Sequence, residues 1–319
     1  MQNDLMRWFG LSVPIFQAPI GSAATPELVT AVGNAGAMGS LALTWTSQDL
    51  AAQQISALNA TGLAYFVNFV LRFGTDAARA ASLLRPPGMT LSWGCDRETI
   101  AIAKAQGTRV GVQVGSADGA AAAIAAGADF VIAQGMEAGG HVQSTTPLGT
   151  LLPAVLAIAG PVPVVAAGGI ARAEEIATCL KQGAHAVMMG TRFVATAESH
   201  AHDAYKQALA EGGRDTSFTI CFDLTWPFAL HRVLRNSTLE AWEAAGHPAA
   251  PDRPGEGDVL FHRNGNPVLR YSGDFPKREA LGDVQAGCLY AGTGVQYIDK
   301  IEPAGALIAR LWAESQRLL

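Results

Sequence analysis

Residues 129–141 read Asp-Phe-Val-Ile-Ala-Gln-Gly-Met-Glu-Ala-Gly-Gly-His. The apolar run Phe130 to Ala133 predicts a short buried strand, and the chain then turns polar and glycine-rich before His141. A buried strand that runs into a flexible polar loop is how a barrel places chemistry at its rim. We therefore expect His141 at a loop tip, with a pKa that is useful near neutral pH. The alternative from this stretch alone is a tight turn that carries a surface histidine.

Apolar segments alternate with helical segments along the first two-thirds of the chain. Eight of them have strand length: Val13–Pro19, Met38–Leu43, Tyr65–Val70, Thr90–Trp93, Arg109–Val114, Phe130–Gln134, Val162–Ala167 and Ala186–Met189. Near-continuous apolar runs are typical of parallel strands, which are buried on both faces. Eight βα units in about 200 residues predict an α/β fold of the (β/α)8 TIM-barrel type. A doubly wound open sheet is the alternative, and the number of units and the polar strand ends disfavour it.

The sequence divides into three parts according to where the alternation of strand and helix segments stops. We expect the barrel over residues 1–211, a smaller elaboration that covers the barrel mouth over 212–302, and a closing helix over 303–319 that packs on the barrel. Within the elaboration, Leu224–Leu234 is predicted to be helical. Phe261–Tyr271 is predicted to form a hairpin, because Asn-Gly lies between two apolar runs.

Composition excludes several classes of protein. The net charge is −5 and no run of Lys or Arg is long enough to form a basic arm, so we expect no nucleic-acid partner. The four cysteines are widely scattered without metal-ligand spacing, which argues against a metal site and against a disulfide framework. The first residues do not resemble a signal peptide, and no apolar run is long enough for a transmembrane helix. A cytoplasmic protein without membrane association is therefore expected.

Two glycine sites follow the seventh and eighth predicted strands. The first contains Gly168 and Gly169, and the second contains Gly190 followed by Thr191. In barrels these two loops commonly bind phosphate through main-chain N–H groups, without a lysine. The alternative is a pair of tight βα turns. A flavin-free barrel lyase or isomerase acting on a sugar phosphate would use the same site.

Carboxamide side chains recur at four predicted strand ends, at Gln17, Asn68, Gln113 and Gln134. Carboxamides both donate and accept hydrogen bonds, which suits a heterocycle that presents ring N–H and carbonyl groups on one edge. A flavin ring lying across the barrel mouth would meet them. The alternative for any one of them is a structural tie between loops.

These motifs resemble the nitronate monooxygenase family, formerly called 2-nitropropane dioxygenases. The resemblance rests on Phe16-Gln17-Ala18-Pro19, Val67-Asn68, Gln113-Val114-Gly115-Ser116, the segment Ala133 to His141, Ala166-Ala167-Gly168-Gly169-Ile170 and Met189-Gly190-Thr191-Arg192-Phe193. It implies an FMN-binding (β/α)8 barrel that oxidises alkyl nitronates with O2 to a carbonyl compound and nitrite. It implies His141 as the catalytic residue. It also implies an FMN site formed by Gln17, Ala18, Pro19, Asn68, Gln113, Gln134, Gly139, Gly140, Ala167, Gly168, Gly169, Gly190 and Thr191.

Other activities remain open on the sequence. The FMN-dependent enoyl-acyl-carrier-protein reductases share Gly-Met-Glu-Ala-Gly-Gly-His and Gly-Thr-Arg-Phe-Val with this chain, and some relatives are NAD(P)H:quinone reductases. Val142-Gln143 follow His141 where the nitronate family often continues Arg-Gly, which leaves the substrate side open. A flavin-binding module without turnover is a further alternative. The expected partners are a small-molecule substrate and O2, and a homodimer is left open.

Overall fold

Fourteen strands and twelve α-helices form in the computed structural model, which describes residues 3–319. The strands are β1 (Ile15–Gln17), β2 (Gly39–Ala42), β3 (Tyr65–Val70), β4 (Gly88–Ser92), β5 (Arg109–Val114), β6 (Phe130–Gln134), β7 (Gly140–His141), β8 (Val164–Ala167), β9 (Ala186–Met189), β10 (Thr216–Thr219), β11 (His231–Leu234), β12 (Val259–Arg263), β13 (Asn266–Leu269) and β14 (Leu281–Gly282). The helices are α1 (Asp4–Phe9), α2 (Pro26–Asn34), α3 (Gln48–Thr61), α4 (Asp76–Ser82), α5 (Arg97–Ala105), α6 (Ala117–Ala125), α7 (Leu148–Ala159), α8 (Ala173–Lys181), α9 (Thr191–Val194), α10 (Asp203–Ala210), α11 (Ser237–Ala244) and α12 (Ala304–Gln316).

The eight predicted barrel strands pair in parallel and close on themselves. Their order is β1-β9-β8-β6-β5-β4-β3-β2, and a parallel bridge between Phe16 and Met38 returns β2 to β1. The N–H of Gln17 donates to the Met38 carbonyl at 2.8 Å in this closure. The prediction of a (β/α)8 barrel is confirmed, and the open doubly wound sheet is excluded by the closure.

Large apolar side chains fill the interior of the barrel. Phe16, Met38, Phe66, Phe130 and Met188 belong to one buried cluster there. The side chains of helix α1 join the same cluster and close the end at which the strands begin. In barrels of this type the active site lies at the opposite end, where the strands finish.

Polar side chains cap the starts of four barrel helices. The side chains of Thr25, Ser47, Asp96 and Ser116 each accept a hydrogen bond from a main-chain N–H in the first turn of the helix that follows. Such caps satisfy donors that a helix leaves unpaired at its start.

The residues after α10 form two small antiparallel sheets. One has the order β13-β12-β14 and contains the predicted hairpin, in which Asn264 and Gly265 both have positive φ. Two positive φ angles in succession are what a tight hairpin turn of this type requires, which explains the Asn-Gly pair. The other sheet has the order β10-β11-β7, so it includes a strand from the loop after β6. The residues after α10 therefore contact the loop that follows β6.

The predicted helix over Leu224–Leu234 is wrong. Residues 224–230 form turns and bends, and His231–Leu234 is strand β11, paired on one side with β10 and on the other with β7. Phe228 has a φ of 59°, which a right-handed helix does not allow. The local sequence pattern favours a helix, but pairing of His231–Leu234 with the nearby β10 and with the distant β7 stabilises a strand instead.

The last helix packs back on the barrel. Leu307, Ile308 and Leu311 of α12 are buried in the main core cluster, and the Ser315 hydroxyl contacts the Ala173 carbonyl at the start of α8. Among residues 3–319, no helix is both long and apolar enough to span a membrane. The bounds of the three predicted parts stay predictions.

Crowding inside the barrel gives a test of this packing. A β-carbon on Gly111 would overlap the Phe130 ring, whereas one on Gly305 in α12 meets no atom within 4 Å. We expect Gly111→Ala to lower the free energy of unfolding by about 1–3 kcal/mol, the usual range for an overpacked core. Gly305→Ala should leave it unchanged or raise it by up to about 1 kcal/mol, because alanine is favoured in helices. Urea denaturation measures both, and equal stabilities would contradict the packing.

Candidate active site

Carboxamide side chains lie on the interior face of the barrel where its strands end. Phe66 and Phe130 point into the interior, and side chains of a strand alternate between faces. Asn68, two residues after Phe66, and Gln134, four residues after Phe130, therefore face the interior as well. Both are more than nine-tenths buried.

Gln143 ties two of these carboxamides together. Its main-chain N–H donates to Gln134 Oε1 at 3.1 Å, and its side-chain Oε1 accepts from Gln113 Nε2 at 2.9 Å and from the Trp93 main-chain N–H at 3.2 Å. Main-chain N–H groups can only donate, so they fix which atom of each amide is the oxygen. The Gln134 amide therefore keeps its Nε2 donor for the mouth, and Gln113 keeps its Oε1 acceptor.

Asn68 is oriented in the same way. Its Nδ2 donates to the Thr90 main-chain carbonyl at 3.2 Å and to the Thr90 hydroxyl at 3.1 Å. A carbonyl can only accept, so the Asn68 Oδ1 is the atom left for the mouth. Gln113 follows Gly111 by two residues, and a β-carbon on Gly111 would meet the interior Phe130 ring, so Gln113 also faces the interior. The three interior amides thus offer a defined set of groups: two acceptors and one donor.

Gln17 does not join this set. Ile15 packs in the layer between strands and helices, whereas Phe16 and Ala18 belong to the interior cluster, so alternation places Gln17 with Ile15 on the helix side. Its Oε1 accepts from the Ser40 N–H at 2.8 Å and its Nε2 donates to the Ser40 carbonyl at 3.1 Å. The Gln17 carboxamide is occupied in tying β1 to β2.

The predicted glycine sites are brought together by a third glycine segment, Gly292 to Gly294. The Gly292 N–H donates to Thr191 Oγ1 at 2.9 Å. Gly294 lies so close to Gly169 that a β-carbon on it would overlap the Gly169 carbonyl. Gly169 itself has a φ of 69°, and a β-carbon there would lie 2.6 Å from Thr293 Oγ1. Main chain can approach main chain here only because these residues are glycines.

The remaining predicted residues border the same glycine cluster. The Ala18 N–H donates to the Met189 carbonyl at 2.9 Å, which places Ala18-Pro19 beside Gly190. The Ala167 carbonyl, just before Gly168, accepts from the Gly135 N–H at 2.8 Å. Gly139 packs so closely on Gly292 that it leaves no room for a side chain.

The loop after β6 is held from both sides. Both carboxylate oxygens of Glu137 accept from the Leu148 N–H, at 3.0 and 2.9 Å, so this residue braces the loop. The buried Arg232 guanidinium donates to the Met136 carbonyl at 3.1 and 2.8 Å. Gly140 and His141 then pair with Arg232 and His231 as strand β7.

His141 is half-buried between aromatic rings, not exposed at a loop tip as expected. Its imidazole stacks on the Trp226 indole with ring centroids 4.3 Å apart, and the rings of His231 and Tyr290 lie 5.5 Å away. Its Nε2 atom is buried and has no hydrogen-bond partner within residues 3–319. Burial, reinforced by the neighbouring His231, lowers the pKa of His141 to about 3. The ring is therefore neutral at ordinary pH, and the expected pKa near neutrality is corrected.

His231 is fixed as a neutral ring. Its Nδ1 lies 2.9 Å from the Ala229 carbonyl and so carries the proton, and its Nε2 accepts from the Phe222 N–H at 3.2 Å. Burial lowers its pKa as well. Both His231 nitrogens have hydrogen-bond partners within the protein. Of the two imidazoles, that of His141 is therefore the one with a nitrogen that lacks a partner within residues 3–319.

The comparisons with known proteins identify the family. The model of the nitronate monooxygenase family matches residues 2–80 and 80–314. The chain belongs to the nitronate monooxygenase family. A nitronate monooxygenase from Pseudomonas aeruginosa is 33% identical over 303 residues, covering 80% of this chain and 86% of that protein.

Two solved structures share the fold over nearly the whole chain. A nitroalkane oxidase from Streptomyces ansochromogenes has a TM-score of 0.81 and 32% identity, covering 99% of this chain and 98% of that one. FabK from Thermotoga maritima has a TM-score of 0.79 and 27% identity, covering 100% and 97%. As a member of the nitronate monooxygenase family, this protein is an oxidoreductase.

Several residues around His141 were not predicted for the site. Trp226 was concealed by the incorrect helix, and His231 and Arg232 are set by pairing with a strand far away in sequence. Gln143 was noticed only as a departure from the family pattern. A sequence signal that could have found this group is Trp93, at the end of the predicted strand Thr90–Trp93, because its ring centroid lies 4.7 Å from that of Trp226.

The buried environment of His141 gives a measurable prediction. An unfolded histidine takes up its proton near pH 6.5, whereas folded His141 stays neutral until about pH 3. The unfolded state therefore binds more protons between these values, and His141 makes the fold less stable as the pH falls through them.

Ring-nitrogen NMR, with the His141 signals assigned by their loss in His141→Gln, should find a neutral imidazole at about pH 5, well below the ordinary histidine pKa. A titration midpoint between about pH 6 and 7, the ordinary range, would contradict the burial.

Proposed function

We propose that this enzyme binds FMN at the barrel mouth and oxidises alkyl nitronates with O2 to a carbonyl compound and nitrite. The observation that carries the proposal is His141 Nε2, a buried and unpartnered nitrogen beside a set of oriented amides in a member of the nitronate monooxygenase family. A buried polar atom without a partner is unfavourable, so one that is retained beside a candidate site has a catalytic role, a bound water or a ligand as its explanation.

The oriented amides fit the edge of a flavin ring. That edge presents a ring N–H flanked by carbonyl groups, so it needs acceptors beside donors. Asn68 Oδ1 or Gln113 Oε1 would accept from the ring N–H, and Gln134 Nε2 would donate to a carbonyl. Bound FMN would supply the electron-transfer chemistry, and the barrel would supply position and electrostatics.

The glycine cluster fits the phosphate of FMN. Gly168, Gly169, Gly190 and Thr191 lie together at the ends of β8 and β9, and the segment from Gly292 closes over them. Such main-chain N–H groups hold a phosphate dianion without a basic side chain. The proposed FMN site therefore uses main chain for the phosphate, and Ala18, Pro19, Gly139, Gly140 and Ala167 as its walls. The Gln17 side chain would act only through the strand that it fixes.

His141 suits the role of hydrogen-bond donor to an anionic nitronate. A neutral imidazole carries one N–H, which would donate to a nitronate oxygen from Nε2 if the ring adopts that tautomer. Its low pKa makes it a weak acceptor of the α-proton from a neutral nitroalkane. Activity on preformed nitronates should therefore not rise through a histidine pKa between about pH 5 and 8.

Enoyl-thioester reduction is the second candidate function. It is favoured by the likeness to FabK and by the shared Gly-Met-Glu-Ala-Gly-Gly-His motif. Reduction of quinones by NAD(P)H is a related possibility. The two candidates differ in the electron donor, which is the nitronate itself in the first and a nicotinamide in the second. Homodimer formation and a cytoplasmic location stay predictions.

Substitution of Gly190 tests the phosphate site more directly than substitution of Gly169. A β-carbon on Gly169 would overlap its neighbours even without a ligand, so Gly169→Asp would distort the loop for steric reasons. At Gly190 a β-carbon meets only Ile20 and Ala18, at 3.5 and 3.7 Å. Gly190→Ala should keep FMN, whereas Gly190→Asp should weaken its binding roughly 100-fold or more, because like charges about 4 Å apart repel strongly at a protein surface.

Mass spectrometry of the released cofactor and equilibrium dialysis measure both variants of Gly190. Recovery of FAD from the parent protein, or unchanged FMN affinity in the Asp variant, would place the phosphate elsewhere.

His141 gives the test of the function. His141→Ala should lower turnover of ethyl nitronate by about 100-fold or more, the scale of a lost orienting or acid–base group, while FMN stays bound. His262→Ala is the matched control, because His262 is exposed on the hairpin strand β12. Oxygen consumption measures turnover. Near-parental activity of His141→Ala with every nitronate tried would remove His141 from the site.

A further inference from the structure

Four aromatic rings from separate loops form a continuous row that ends on His141. We call Trp45, Phe73, Trp226 and Trp93 the aromatic row. Ring centroids are 5.2 Å apart between Trp45 and Phe73, 4.9 Å between Phe73 and Trp226, and 4.7 Å between Trp226 and Trp93. Trp226 stacks on His141 at 4.3 Å. The row therefore connects the buried imidazole to the rim of the mouth.

The outer end of the row is open to solvent. Trp45 is 64% exposed and Phe73 is 46% exposed. Phe228, in the same segment as Trp226, is 80% exposed. Single exposed apolar residues are ordinary, but contiguous ones that border a site mark a surface for binding. Packing of the elaboration alone does not explain why the rings of Trp45 and Phe73 face water.

Trp93 is held in a conformation that tryptophan rarely adopts. Its φ is 55°, and its main-chain N–H donates to the Gln143 Oε1 that also orients Gln113. A bulky residue in the left-handed region is strained, and such residues persist at ligand sites where the surroundings fix them. The strain sets Trp93 against Trp226 and joins the row to the network that orients the amides.

We propose that the aromatic row is a subsite for an aromatic substituent of the substrate. The nitronate preferred by this enzyme then carries an aryl group on a short linker, and short alkyl nitronates are turned over with a lower kcat/KM. Aromatic rings prefer offset and edge-to-face contacts at centroid distances of about 4.5–7 Å, which is the spacing within the row itself. The assignment of the reacting group rests on the proposed function.

The position of the aromatic row favours the aromatic substituent of a substrate as its ligand over a second copy of the chain. The row is continuous with His141, and its inner ring, Trp226, lies on the imidazole face. A surface used for assembly has no need of stacking on the imidazole of the candidate site. The chemistry that fits is therefore a planar apolar group attached to a small anion that reaches His141.

The test compares one aryl and one alkyl nitronate. The nitronates of (2-nitroethyl)benzene and nitroethane differ by a phenyl group, and the ratio of their kcat/KM values measures the subsite. Trp45→Ala and Phe73→Ala are the test variants, because neither side chain contacts His141 through a ring pair. Leu83→Ala is the control, since Leu83 is also 64% exposed and lies just after α4, outside the row.

The parent should favour the aryl nitronate, and each test variant should lower the aryl-to-alkyl ratio about 3- to 10-fold, the range for a lost aromatic pair. Leu83→Ala should keep the parental ratio. A parent that favours nitroethane, or test variants that keep the ratio, would overturn the subsite. A change of oligomeric state in sedimentation, with the ratio kept, would assign the row to assembly and also overturn it.

A binding measurement separates the subsite from the reaction. The carboxylate of 3-phenylpropionate is a planar monoanion with two oxygens, like the nitronate, and it cannot be oxidised in the same way. Calorimetry with the flavin-loaded protein should find 3-phenylpropionate bound more tightly than propionate, and Trp45→Ala should weaken its binding about 3- to 10-fold.

If nitronates are not turned over but this binding pattern holds, the proposed function fails and the subsite stands. If nitronates are turned over without any aryl preference in turnover or binding, the subsite fails alone.

Discussion

The pairing of Gly140 and His141 with Arg232 and His231 is the contact on which the rest of the site depends. It turns a glycine-rich loop into a strand and fastens it to the elaboration over the mouth. A loop of this composition has high conformational entropy, so its side chains would otherwise sample many positions. Once it is fastened, Gln143 returns to the barrel and orients Gln113 and Gln134. The geometry of the candidate site comes from the elaboration as much as from the barrel.

The same contact decides the electrostatics of His141. Enclosure by Trp226, His231 and Tyr290 removes water from the ring, and burial disfavours the charged form of a histidine. The imidazole is thus prepared to donate or accept one hydrogen bond without carrying charge. An anionic substrate placed against it would raise its proton affinity, so ligand binding and ring protonation are coupled.

Much of the barrel was readable from local pattern, because each strand and cap depends on residues near in sequence. The apolar runs, the caps at Thr25 and Ser47, and the paired glycine sites all belong to this class. The prediction failed for Leu224–Leu234, whose strand is decided by pairing with His141, about ninety residues earlier. Burial of His141 and the turning of Gln17 to the helix side also depend on tertiary neighbours. The local sequence does not show whether a single polar residue at a strand end, such as Gln17, faces the barrel interior or the surrounding helices.

The most direct measurement of the central claim is the anaerobic reduction of the flavin-loaded enzyme, followed by flavin absorbance. Ethyl nitronate, the nitronate of (2-nitroethyl)benzene, NADH and NADPH are mixed with the enzyme in separate experiments. The account predicts that the nitronates bleach the flavin rapidly and that His141→Ala slows this step, while the nicotinamides reduce it slowly or not at all. Rapid reduction by a nicotinamide with no reduction by either nitronate would contradict it and favour an enoyl-thioester or quinone reductase.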